Sequence, residues 1–137
     1  MRAAQKLSVP EAWGPCPRYA TVAIVRNVLI YLSFLGSVPL LAIFHPWAPF
    51  AAMPFVGLAM YRLTIVMHDC SHGTLLKSQK ANWFCGVLTG AMSGIEFHAY
   101  QRLHRKHHAS VGQPDDPQGP DYLSLPTSTL GIAYHLV

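Results

Sequence analysis

The sequence predicts an all-α integral membrane protein: a transmembrane hairpin followed by cytoplasmic or interfacial helices that carry clustered histidines. Three observations predict it. Only 12% of the 137 residues are charged and 51% are hydrophobic, with a mean hydropathy of +0.24, whereas a soluble domain carries about 25% charged residues. Two long apolar runs lie close together, at residues 22–44 and about 48–67. Lys and Arg flank these runs on their outer ends and are missing from the link between them.

Residues 1–20 are mixed in polarity, with Arg2, Lys6, Arg18 and two Pro-rich turns, and read as a loosely ordered N-terminal arm. The first run, VAIVRNVLIYLSFLGSVPLLAIF, holds no charge from Val28 to Phe44. As a helix its 23 residues rise about 34 Å, enough to cross a hydrocarbon core of about 30 Å. A secretory signal would have an apolar core of about 7–15 residues and a small-residue cleavage site; His45-Pro46-Trp47 follows instead. The second run carries one charge, Arg62, close enough to its end to snorkel to the interface. Residues 74–103 contain an apolar stretch too short to cross, Trp83 to Ile95, broken by Gly86, Gly90, Ser93 and Gly94. With Trp83 and Tyr100 beside it, this part reads as one or two interfacial or partly re-entrant helices. Residues 111–121, VGQPDDPQGPD, form a turn-rich loop. A further apolar stretch begins near residue 127 and reads as the opening of another span.

Charge assigns the sides. Arg2, Lys6, Arg18 and Arg26 precede or open the first span, and Lys77, Lys80, Arg102, Arg105 and Lys106 follow the second. The positive-inside tendency places the N-terminus and everything after Met67 in the cytoplasm. The net charge of +4 is thereby mostly topological. No basic stripe interleaved with aromatics suggests nucleic acid. Cys16, Cys70 and Cys85 are odd in number and lack CxxC spacing, so neither a disulfide framework nor a thiolate metal site is indicated. Cys70 reads as a small filler side chain.

Five of the eight histidines form two groups, His68-Asp-Cys-Ser-His72 and His104-Arg-Lys-His107-His108. Helical residues four apart differ by about 40° around the axis, so each group projects from one face. Two such helices can gather five imidazoles, and neutral imidazole suits Fe, Zn, Cu or Ni. One HxxxH alone is weak evidence, and HRKHH alone could be a basic patch on lipid phosphates. Both groups beside apolar segments point to metal ligation. Zinc proteases use HExxH, whereas Asp69 stands at that second position. Zinc usually takes only three or four protein ligands. Five histidines therefore favour two metal ions, and iron is the ion that handles dioxygen.

HDCSHGTL, then about 30 residues, then QRLHRKHH, resembles the first two histidine boxes of the membrane fatty acid desaturase family. The likeness covers roughly residues 20–125, including the hairpin before box one and Asp116-Pro117 after box two. It implies a non-haem diiron centre with His68, His72, His104, His107 and His108 as ligands. It also implies removal of two hydrogens from an unactivated fatty acyl chain, with dioxygen as co-substrate. Ferredoxin or a b-type cytochrome would supply the electrons, and the bilayer would hold the acyl lipid. The family's third box, also of HxxHH type, is absent, so the 137 residues read as an N-terminal part unable to turn over alone. Asp69 and His98 are candidates to support the ligands. His135 reads as a packed or interfacial histidine, Glu96 as solvent-facing, and Asp115, Asp116 and Asp121 as loop-forming. The rival enzyme readings are a related diiron hydroxylase or carotenoid ketolase, and the non-enzymatic ones are a membrane metal-binding protein or a structural fragment with incidental histidines.

Overall fold

The computed structural model describes residues 16–119. Among them are four helices and no strand: α1 (Pro17–Phe44), α2 (Pro49–Ser71), α3 (Gln79–Met92) and α4 (Phe97–Ser110). The all-helical class read from the sequence holds. Most of the N-terminal arm, Asp121, the apolar stretch from about residue 127 and His135 lie outside the described residues. The chain divides into two compact units, Met1–Phe97 and His98–Val137.

In the first unit, α1 starts earlier than the hydropathy pattern suggested. Pro17 occupies the first helical position, where its missing N–H is no loss and its φ is already helical, so residues 17–20 join the helix rather than the arm. The helix ends at Phe44 because His45, ahead of Pro46, is extended. His45 then shapes the link: its N–H donates to the Leu41 carbonyl at 3.2 Å, and its Nδ1 accepts the Trp47 N–H at 3.2 Å. Pro49 opens α2, again at a first-turn position. With 28 and 23 residues, α1 and α2 rise about 42 and 35 Å. Both are long and apolar enough to cross a membrane. Apolar side chains are exposed along both, up to 78% for Ile43 and 84% for Phe44, a surface suited to hydrocarbon rather than water.

The two helices pack through small residues (Ala20, Ala52 and Ala59 are buried) with Leu63. A stacked Phe34–Phe55 pair, 5.5 Å between centroids, adds an aromatic contact. Arg62 Nε donates to Asn27 Oδ1 at 2.8 Å across the same pair. The second helix runs past Met67, the expected end of the span, and carries the first histidine group as its last turn.

That turn stops at a glycine. Gly73 has φ +70°. Its N–H bonds to the Cys70 carbonyl at 2.9 Å, and the Thr74 N–H reaches the Asp69 carbonyl at 3.4 Å, the paired closure of a Schellman motif. The following loop is held by Asn82, only 1% exposed. Its Oδ1 accepts the Leu76 N–H at 2.9 Å; its Nδ2 donates toward the carbonyls of Leu76 at 2.7 Å, Ser78 at 3.1 Å and Gly73 at 3.2 Å. Ser78 caps α3 by accepting the Ala81 N–H at 3.4 Å.

Gly86 and Gly90, read from the sequence as breaks, lie inside α3. They are contact points instead. A Cβ on Gly86 would collide with the Phe97 ring, and one on Gly90 would sit 2.8 Å from the Ile95 carbonyl and 3.3 Å from Met67 Sδ. In the second unit, α4 gives way to turns over 111–118, tied by Gln113 N–H to the Ser110 carbonyl at 2.8 Å and Asp116 N–H to the Gln113 carbonyl at 3.1 Å.

Candidate functional site

The first histidine group is built on the last turn of α2. The i, i+4 spacing stacks His68 and His72 on one face, ring centroids 4.7 Å apart and edge to face at 72°. Their Nε2 atoms face each other at 3.3 Å. Nδ1 of His68 lies 3.0 Å from an Asp69 carboxylate oxygen. A carboxylate only accepts, so this bond holds the proton on Nδ1 and makes Nε2 the lone-pair nitrogen of the neutral ring. Cys70, between the two histidines, is 1% exposed, and it and Cys85 of α3 are both buried free thiols. Cys70 packs between helices, as the filler reading expected.

The second group repeats the arrangement on α4. His104 and His108 are four apart, with centroids 4.5 Å apart, edge to face at 83°, and Nε2 atoms 3.1 Å apart. His104 is buried and stacks on Tyr100 at 5.1 Å. His107 lies alongside, 6.0 Å from His104 and 5.5 Å from His108. Its Nδ1 lies 2.9 and 3.1 Å from the two oxygens of Asp116. That carboxylate side chain is 0% exposed, and one oxygen also accepts the Gln118 N–H at 2.9 Å. Asp116 therefore shapes the loop and orients an imidazole at once. The sequence showed only the first role, because an acid in a turn-rich stretch looks the same in either case. His98, near the start of α4, and Glu96, before it, are exposed.

These donor sets fit a bound transition metal. Two imidazole nitrogens about 2.1 Å from one ion, at right angles to tetrahedral angles, lie about 3.0–3.4 Å apart. Both Nε2 pairs, at 3.3 and 3.1 Å, fall in that interval. Asp69 on His68 Nδ1 selects the tautomer that leaves Nε2 of the first pair to coordinate, and Asp116 does the same for His107, which stands beside the second pair, an arrangement typical of metal-bound histidine.

The family described as fatty acid desaturase matches residues 45–136. Among curated relatives, the sn-1 acyl-lipid omega-3 desaturase (ferredoxin) of Synechocystis sp. is 36% identical over 59 residues, 43% of this chain and 16% of the relative. The sn-2 acyl-lipid omega-3 desaturase (ferredoxin), chloroplastic, of Helianthus annuus is 25% identical over 114 residues, 82% of this chain and 25% of the relative. The Delta(12) fatty acid desaturase of Caenorhabditis elegans is 25% identical over 127 residues, 89% of this chain and 33% of the relative. The chain thus spans a third or less of the length of these relatives. No solved structure matches it.

Proposed function

The chain belongs to the fatty acid desaturase family, and from that premise we propose that it forms part of a membrane enzyme that introduces a double bond into a fatty acyl chain. The observation that carries this reading is the repeated pair of Nε2 atoms, at 3.3 and 3.1 Å, each group backed by a carboxylate. In the proposal, His68, His72, His104, His107 and His108 are ligands of a non-haem diiron centre. When bound, such a centre supplies the oxidising power that acid–base groups lack against an unactivated C–H bond, using dioxygen and two electrons.

The protein's own groups perform the positioning. Asp69 and Asp116 keep protons on the Nδ1 atoms of His68 and His107, so their Nε2 atoms are offered as ligands. Tyr100 holds the plane of the His104 ring by stacking. The apolar exterior of α1 and α2 suits these helices to hold an acyl substrate in the hydrocarbon layer. The proposal makes the protein multi-pass, with its N-terminus and both histidine groups in the cytoplasm, where ferredoxin or a b-type cytochrome delivers electrons. In the proposal the helices from Pro17 onward form part of a desaturase domain preceded by an N-terminal arm; further ligands are expected from a polypeptide of the relatives' length, and turnover is not expected of this chain alone.

The test is iron content and product analysis of the active polypeptide supplied with acyl lipid, reductant and dioxygen. A new alkene with iron bound supports the reading. An oxygenated product without an alkene would transfer it to a hydroxylase or ketolase, and activity without iron would overturn it.

A further inference from the structure

Arg62 stands six residues before His68 on α2, a rise of about 9 Å. It lies in the otherwise apolar run over 50–67 of α2, where an ionisable side chain requires a polar partner. Its Nε is committed to Asn27, which is 8% exposed. This bond fixes the guanidinium plane, and among the described residues its two Nη groups make no hydrogen bond or ion pair. Beside it, between α1 and α2, lies a cavity of about 300 Å³, within the size range of small-molecule sites. Arg26, Asn27 and Arg62 line it, with Ile24 and Val66 among its apolar walls. Asp69 also lines it, but that carboxylate is engaged by His68 at 3.0 Å. Two guanidinium groups against one carboxylate leave the lining net positive.

Arg26 belongs to a second depression as well. An apolar groove of about 580 Å³ follows α1 from Thr21 to Phe34 and includes Val25, Leu29 and Ile30 beside Arg26. The cationic cavity and the oily groove therefore meet at one residue. An amphipathic ligand with an anionic head and an acyl tail matches both. Planar guanidinium groups bind phosphate through paired N–H donors, and a ligand that reaches a cavity between two apolar helices arrives from the lipid phase.

We propose that the Arg26–Asn27–Arg62 cavity binds the phosphate of a phospholipid, whose acyl chain lies along the α1 groove. The inference deepens the proposed function, on whose membrane reading it rests, by naming a phosphate-bearing headgroup as the lipid feature recognised near His68.

The test uses the full polypeptide in uncharged detergent. It is titrated with phosphatidylglycerol, with a galactosyl diacylglycerol of the same acyl chains, with free oleate and with inorganic phosphate, and read by native mass spectrometry. Phosphatidylglycerol is expected to bind at least about tenfold more tightly than the galactolipid. Arg62→Gln and Arg26→Gln are each expected to erase most of that preference while leaving bound metal unchanged. The side-chain hydrogen bond of Asn27 is to Arg62 and not to Arg26, so the Arg26 variant remains informative where Arg62→Gln disturbs the helix pair. Equal binding of the two lipids, a preference that survives both substitutions, or oleate or inorganic phosphate competing as well as phosphatidylglycerol, overturns the proposal. Headgroup preference and metal binding are separate readouts: loss of the preference with iron and activity intact removes only this inference, whereas absent iron with the preference intact removes the diiron reading.

Discussion

Asp116 shows how one side chain can serve a loop and a ligand together. Its oxygens reach His107 Nδ1 at 2.9 and 3.1 Å while one of them also accepts the Gln118 N–H. Removing it leaves His107 without the group that selects its tautomer. Asp116→Ala is expected to weaken metal retention by about 10- to 100-fold, measured by competition with a chelator. Asp116→Asn keeps an acceptor oxygen for the Nδ1–H and is expected to lose less. A purely loop-forming Asp116 would instead give equal metal affinity in both variants and a change only in thermal stability. For the ligands themselves, His72→Ala and His107→Ala are each expected to reduce the metal bound per polypeptide. Metal content unchanged in both would return these residues to incidental interfacial histidines.

At the scale of the element, the last turn of α2 depends on how it stops. Gly73 at φ +70° closes the Schellman motif, and an added Cβ would meet Gln79 Oε1 at 2.6 Å. Gly73→Ala is expected to destabilise by about 1–2 kcal/mol from the left-handed backbone alone. Asn82→Ala leaves the half-buried Leu76 N–H without its acceptor and is expected to cost about 1–3 kcal/mol. Gly86→Ala drives a methyl into the Phe97 ring, an overpacking worth about 1–3 kcal/mol. Thermal unfolding in detergent measures all three, and wild-type midpoints would refute the packing described. The glycines show why sequence inspection misread this segment. Gly is a poor helix former by propensity, so Gly86 and Gly90 looked like interruptions; neighbouring side chains and backbone make them the residues that fit.

Across the whole molecule, the proposed orientation has a direct consequence. In vesicles whose cytoplasmic face is inward, with Cys16→Ser as background, a membrane-impermeant thiol reagent is expected to label Trp47→Cys and to spare Lys77→Cys. The reverse pattern would invert the topology. The helical class and the two long apolar helices were legible in the sequence because hydropathy and charge are properties of a residue's side chain, read without knowing its neighbours. The clustering within each histidine group was legible for a related reason: i, i+4 spacing is a local geometric fact of a helix. Helix ends were less legible, since Pro17 and Gly73 act through backbone conformation rather than polarity. The partnership of Asp116 with His107, nine residues apart, and of Asn27 with Arg62, 35 apart, was not legible at all. The sequence by itself determined what would be apolar, helical and nitrogen-rich; only the tertiary structure decided which carboxylate holds which imidazole and where a guanidinium is left facing a cavity, because those outcomes depend on chain folding that brings residues distant in sequence within about 3 Å.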